Sequence, residues 1–68
     1  MIRTLKQIAG IHAVAARELR AAAANLSAAA LVYAGRRDTE HAADLYRRAH
    51  DLECLAAQHD AGTGPLEG

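Results

Sequence analysis

One seven-residue repeat runs without a break from Ile2 to Tyr33 and constrains the fold more than any other feature of the sequence. Its two main rows of residues, mostly apolar, are offset by three positions in each heptad. The first row consists of Ile2, Ala9, Ala16, Ala23 and Ala30, and the second of Leu5, His12, Leu19, Leu26 and Tyr33. Two such rows are typical of a helix that packs along its length against another helix. The repeat therefore predicts a long first helix.

A second stretch repeats the pattern in phase with the first, with Ala42, Ala49 and Ala56 in one row and Leu45, Leu52 and His59 in the other. Gly35 is suited to end the first helix, and Asp38 is suited to cap the second. So short a connection forces the helices to be antiparallel neighbours. We predict an all-α fold, an antiparallel two-helix hairpin with an alanine-rich coiled-coil seam. The predicted organisation is a hairpin over residues 1–61, made of helix 2–34, turn 35–38 and helix 39–60, and a flexible tail over residues 62–68.

The two predicted helices differ in length, which leaves part of the first one uncovered. The register places His59 level with His12, so residues 1–11 have no partner in the second helix. A chain of 68 residues rarely has a core worth more than about 3–5 kcal/mol, and its single cysteine excludes an internal disulfide. We therefore expect a homodimer in which two hairpins form a four-helix bundle. The predicted dimer interface consists of Ile2, Leu5, Ile8, Ile11, Val14, Leu31, Tyr46 and Leu55.

The charge balance and hydropathy argue against several partners. The chain has 8 basic and 8 acidic residues, whereas a general binder of nucleic acid or anionic membranes has a basic excess. No apolar run approaches the length of a membrane span, and the first residues lack the apolar block of a signal peptide. We expect a cytoplasmic protein with no membrane contact.

Four residues are candidates for a metal site, and each also has a simpler interpretation. His50 and Cys54 are one helical turn apart, and His12 meets His59 at the open end of the predicted hairpin. A structural zinc normally needs four ligands, and these pairs lie at different places. The alternatives are a solvated His50, a half-buried Cys54, and two histidines that cap the seam and loosen it when protonated. We predict no cofactor.

Catalytic residues are not indicated by the pattern. The carboxylates project mostly from solvent-facing positions, and Ser27 and Cys54 lie inside helices without a histidine aimed at them. A two-helix chain is also too thin to close a pocket over a substrate. We expect a protein that is not an enzyme.

Charged residues at the turn form the predicted contact point for a partner. Guanidinium groups bind carboxylates and phosphates in forked geometry, although ion pairs with Asp44 and solvation are the alternative explanation for these arginines. The predicted partner-binding residues are Arg36, Arg37, Asp38, Arg47 and Arg48, with Leu66 in the tail.

Two stretches resemble known helical families. Residues 26–53 resemble one tetratricopeptide repeat through Ala30, Tyr33, Ala42, Tyr46 and Ala49, and through a similar turn at Asp38-Thr39-Glu40. This resemblance implies helix-hairpin packing. The stretch from His41 to Arg47 looks like part of the second helix of the Rop family, dimeric helical hairpins that bind RNA, and implies a dimeric hairpin. In size and shape the chain is also similar to early regulatory proteins of temperate phages, which bind and disable host proteins.

These observations lead to one main hypothesis for function. We expect a small regulator or inhibitor, encoded by a phage or mobile element, that masks a surface of a larger host protein. A Rop-like RNA-binding dimer is the first alternative, although the charge balance makes nucleic acid an unfavoured partner. A metal-binding helical module is the second.

Overall fold

The computed structural model describes residues 4–63, which form two α-helices joined by a tight turn. Helix α1 spans Leu5–Gly35 and helix α2 spans Thr39–Asp60. The helices pack antiparallel, and the described part of the chain is an all-α hairpin. Ile2 of the predicted dimer interface, Leu66 of the predicted partner contacts and most of the predicted tail lie outside the described residues.

Helix α1 begins three residues later than the repeat predicts, because Thr4 caps it. The backbone of Thr4 is extended, and its hydroxyl accepts a hydrogen bond from the Gln7 N–H at 3.2 Å. The Gln7 side chain in turn accepts the Thr4 N–H at 2.8 Å. This reciprocal pair is a capping box, which satisfies N–H groups that have no partner within the helix. The helix therefore starts at Leu5.

The turn differs from the prediction in the residue that adopts the left-handed conformation. Gly35 remains in α1, and Arg37 has φ 63°. The N–H groups of Arg37 and Asp38 donate to the carbonyls of Ala34 and Tyr33, each at 3.0 Å. In this pattern of two hydrogen bonds at the end of a helix, the residue before the last donor must have a left-handed backbone. That residue is Arg37, two positions after Gly35.

The other two helix termini use the residues that the sequence predicts. Asp38 caps α2, with its carboxylate accepting the His41 N–H at 3.1 Å. Gly62 has φ 76° and follows the end of α2. The Thr63 N–H then donates to the Gln58 carbonyl at 2.9 Å, which closes the end of the helix.

The seam between the helices consists of the two alanine rows. Leu45 is also buried, whereas Leu19, Leu26 and Leu52 are half-buried beside the alanines. Side chains this small allow two helix axes to approach at or below the usual distance of about 8–10 Å. The hairpin is therefore held together by close backbone approach. The buried alanines are Ala16, Ala23, Ala30, Ala42, Ala49 and Ala56.

Replacing Ala23 by leucine tests this seam. Ala23 is 1% exposed, so the larger side chain has no space, and we expect a loss of about 1–3 kcal/mol in the free energy of unfolding. The neighbouring Ala24→Leu is the control, because Ala24 is exposed and leucine is a good helix former. Thermal melts that show equal stability for the two variants would mean that the seam is placed wrongly.

Replacing Arg37 by glycine tests the turn. A left-handed backbone costs a residue with a Cβ about 1–2 kcal/mol, which exceeds the entropic cost of glycine. We expect Arg37→Gly to raise the free energy of unfolding by about 0.5–1 kcal/mol. Arg36→Gly is the matched control and should not stabilise, because Arg36 has φ −91°. Chemical denaturation measures both, and a less stable Arg37→Gly would contradict the assignment.

Candidate functional site

Two buried histidines meet at the open end of the hairpin, where the end of α2 packs against the N-terminal third of α1. His12 and His59 are 7% and 5% exposed, and their Nδ1 atoms are 2.8 Å apart. At this distance one ring donates its Nδ1–H to the unprotonated Nδ1 of the other. The two rings occupy seam positions that leucine holds further along both helices. The sequence register predicted this contact.

An ion pair that the sequence reasoning missed lies beside the histidines. The Arg20 guanidinium donates to the Asp60 carboxylate across the two helices, and both side chains are about half exposed. This hydrogen bond lowers the pKa of Asp60 below its usual value, and nearby positive charge adds to the effect. The pKa of Arg20 is raised for the same reason. The available signal was the heptad position that Arg20 and Asp60 share, because equivalent flanking rows face each other in an antiparallel hairpin.

A shallow cleft opens onto the histidine pair from solvent. Its volume is about 290 Å³. The two imidazoles share one hydrogen bond there, and each ring is buried beneath the cleft. The residues that line the cleft are Ala9, His12, Ala13, His59, Asp60, Ala61 and Gly62.

The other predicted metal pair lies on the exposed surface of α2. The Cys54 Sγ and the His50 Nε2 are 3.5 Å apart, and Cys54 is exposed, not half-buried as predicted. Within residues 4–63, no three histidine, cysteine or acidic residues cluster closely enough to hold a metal ion. The four candidates are therefore brought together as two separate pairs.

The charged residues near the turn fall into two groups. Arg47 and Arg48 both bind Asp44, at 3.5 and 3.0 Å, along the surface of α2. Arg36 and Arg37 are exposed, and within the described residues neither has an ion pair. The Tyr33 ring stacks on the His41 ring with centroids 3.9 Å apart, a contact that the sequence did not predict. Among residues 4–63, the tip therefore presents two guanidinium groups without a carboxylate partner, beside the stacked rings of Tyr33 and His41.

The described residues of the predicted dimer interface, which leave out Ile2, lie on different sides of the single chain. Leu5 is 87% exposed and Leu31 65% exposed, and Val14 and Tyr46 are also exposed. Ile8, Ile11 and Leu55 are half-buried.

Helix α1 carries two further apolar stripes besides its seam. Both have the alternating spacing of three and four residues that keeps side chains on one face of a helix. The side stripe, next to the seam, contains Ile8, Ile11, Ala15, Ala22, Ala29 and Val32, with Glu18 and Asn25 between them. The outer stripe, on the side away from α2, contains Val14, Ala21, Ala24, Ala28 and Leu31, with Arg17 between them. A helix that is apolar on most of its sides is normally buried.

Helix α2 is different, because its corresponding rows carry mostly polar and charged residues. On the side next to the side stripe, only Leu55 is apolar among His41, Arg48, Asp51 and Gln58. The uncovered apolar surface of the hairpin therefore belongs mainly to α1.

Comparisons with protein-family models, curated proteins and solved structures give no match to this chain. Among the described residues, neither helix combines the length and the apolar character that a membrane span needs.

The histidine pair predicts an effect on stability when one of its members is removed. Each buried ring is the hydrogen-bond partner of the other. We expect His12→Leu alone to lower the free energy of unfolding by about 1–3 kcal/mol, because it leaves the His59 Nδ1 buried without that partner.

A double variant isolates the contribution of the pair. His12→Leu with His59→Leu restores the leucine of the seam and should recover most of this loss. The exposed His50→Gln serves as the control and should leave the stability nearly unchanged. Chemical denaturation measures all three, and a double variant less stable than His12→Leu alone would contradict the coupling.

Proposed function

We propose that this protein is a non-enzymatic interaction module, a small cytoplasmic regulator or inhibitor that binds a larger protein and masks part of its surface. A phage or mobile element is the proposed source. The observation that supports this proposal is the outer stripe of α1, a row of apolar residues that faces away from the rest of the hairpin.

The outer stripe has the dimensions of a helix-docking surface. It extends over about 26 Å from Val14 to Leu31, at 1.5 Å per residue. Its three alanines are exposed, and side chains this small let a partner helix approach closely. Arg17 is the one charged residue between Val14 and Leu31 on this face. Binding by such a face is the helix-in-groove type of recognition, in which anchors recur every three or four residues.

The tip of the hairpin extends the same surface with positive charge. Leu31 lies one helical turn before the end of α1, and the exposed Arg36 and Arg37 follow it, with no ion pair in the part of the chain that the structure describes. We propose that a partner places carboxylates against these two arginines. Asp38 contributes by ordering the turn, because its carboxylate caps α2. Arg47 and Arg48 already bind Asp44, so their contribution to affinity is smaller.

Partner capture with matched variants tests the proposal. A photo-crosslinking residue placed at Ala24 should trap a partner in native cytoplasm at near-endogenous levels, and one placed at Ala57 should not. Both alanines are exposed, but Ala57 belongs to α2. Ala24→Glu should abolish co-purification of the same partner, whereas Ala57→Glu should leave it intact, because only the first places a charge in the docking surface.

Far-UV circular dichroism must show equal helicity for the two glutamate variants. If Ala24→Glu and Ala57→Glu both lose the partner, or if both retain it, the assignment of the outer stripe as the docking surface is contradicted. Recovery of no partner by the original chain would overturn the proposed function itself.

RNA binding is the alternative that the likeness to the Rop family implies. The free arginines at the tip are the feature that supports it, since guanidinium also binds phosphate. A gel shift with structured RNA at low salt separates the alternatives, because phosphate contacts are strongest there. A complex that Arg36→Ala with Arg37→Ala removes would favour RNA over a protein partner.

A further inference from the structure

We infer that a second copy of this chain docks on the side stripe of α1, with the two α1 helices antiparallel. This assigns the side stripe to self-association and leaves the outer stripe free. The inference does not depend on the outer stripe binding another protein.

The hairpin has four uncovered sides, and two of them are formed by both helices. One of these two carries the Arg20–Asp60 ion pair, Glu53 and the exposed Tyr46. The outer stripe of α1 and the outer face of α2 each present one helix. On the remaining side the side stripe lies next to the half-buried Leu55 of α2. Docking there brings four helices together, whereas docking on the outer stripe joins two hairpins along a single line.

The spacing of the side stripe is the same when read in either direction, so it complements itself about a two-fold axis. Ile8 then lies opposite Val32 of the second copy, and Ile11 opposite Ala29. In each of these pairs an isoleucine of one copy meets a smaller side chain of the other copy. A two-fold contact of this kind uses the same patch on both copies. Ile8 and Ile11 of the α1 overhang are covered by the second copy in the same arrangement.

Charge complementarity supports the same register. Glu18 is exposed and, within the described residues, has no ion pair. The antiparallel arrangement places Glu18 opposite Ala22 of the second copy, within one helical turn of that copy's Arg48. The Nε of Arg48 binds Asp44 at 3.0 Å, which leaves its terminal nitrogens to donate to Glu18. Symmetry produces this contact twice.

Light scattering over a hundredfold dilution, with circular dichroism on the same samples, tests self-association. We expect a dimer, and we expect Ala22→Glu to raise its dissociation constant by about tenfold or more. Ala24→Glu, one residue further on the outer stripe, is the control and should leave the dimer intact. A monomer at every concentration, or equal effects of the two variants, would overturn the inference. This readout is separate from partner capture, so either proposal can fail alone.

Disulfide trapping checks the register even if Ala22→Glu unfolds. In a Cys54→Ser background, Ile11→Cys with Ala29→Cys should give a covalent dimer under a mild oxidant. Val14→Cys with Leu31→Cys is the matched pair on the outer stripe and should stay monomeric. Trapping of the second pair instead of the first would mean that the copies meet through the outer stripe, and the inference would be wrong.

Discussion

The close approach of two alanine rows is the constraint on which the rest of the structure depends. Six alanines are buried between α1 and α2, and each removes little apolar area from water. The seam therefore fixes the geometry of the hairpin more than it stabilises it. Because short side chains hold the helices together, the longer apolar residues of α1 lie to the sides. The hairpin is narrow, and most of its larger apolar side chains remain accessible.

At the open end of the hairpin the seam ends in polar side chains, and the apolar packing between the helices stops there. His12 and His59 satisfy each other through one hydrogen bond, and Arg20 binds Asp60 beside them. These contacts are directional, so they reinforce the register of α2 against α1 that the repeat and the short turn determine. Fixing the register also fixes which residues lie next to one another on the side faces. The polar contacts therefore help to select one register of the helices, whereas the alanines let the two helices approach closely.

The sequence predicts the seam well because a seven-residue repeat and a short turn determine the register together. The contact between His12 and His59 follows from those two facts. The turn is predicted less well, because hydrogen bonds at the end of α1 select Arg37 as the left-handed residue although Gly35 is available nearby. The Tyr33–His41 stack and the Arg20–Asp60 pair depend on side-chain directions, which the repeat does not encode. The predicted interface residues were selected by apolar character alone, and the structure distributes them over several faces.

The difference between the two helices explains why a single copy leaves so much surface uncovered. α2 is polar outside its seam, as expected for a helix with one packed face and one solvated face. α1 is apolar or alanine-rich on three sides, and α2 covers only one of them. A second copy on the side stripe covers another, but a two-fold dimer in that arrangement leaves the outer stripe of both copies facing solvent. An exposed row of apolar residues along a helix is a cost in water unless a partner uses it. The composition of α1 is therefore that of a helix with more neighbours than α2 alone, and this is the reason for proposing a second copy on one stripe and a larger protein on the other.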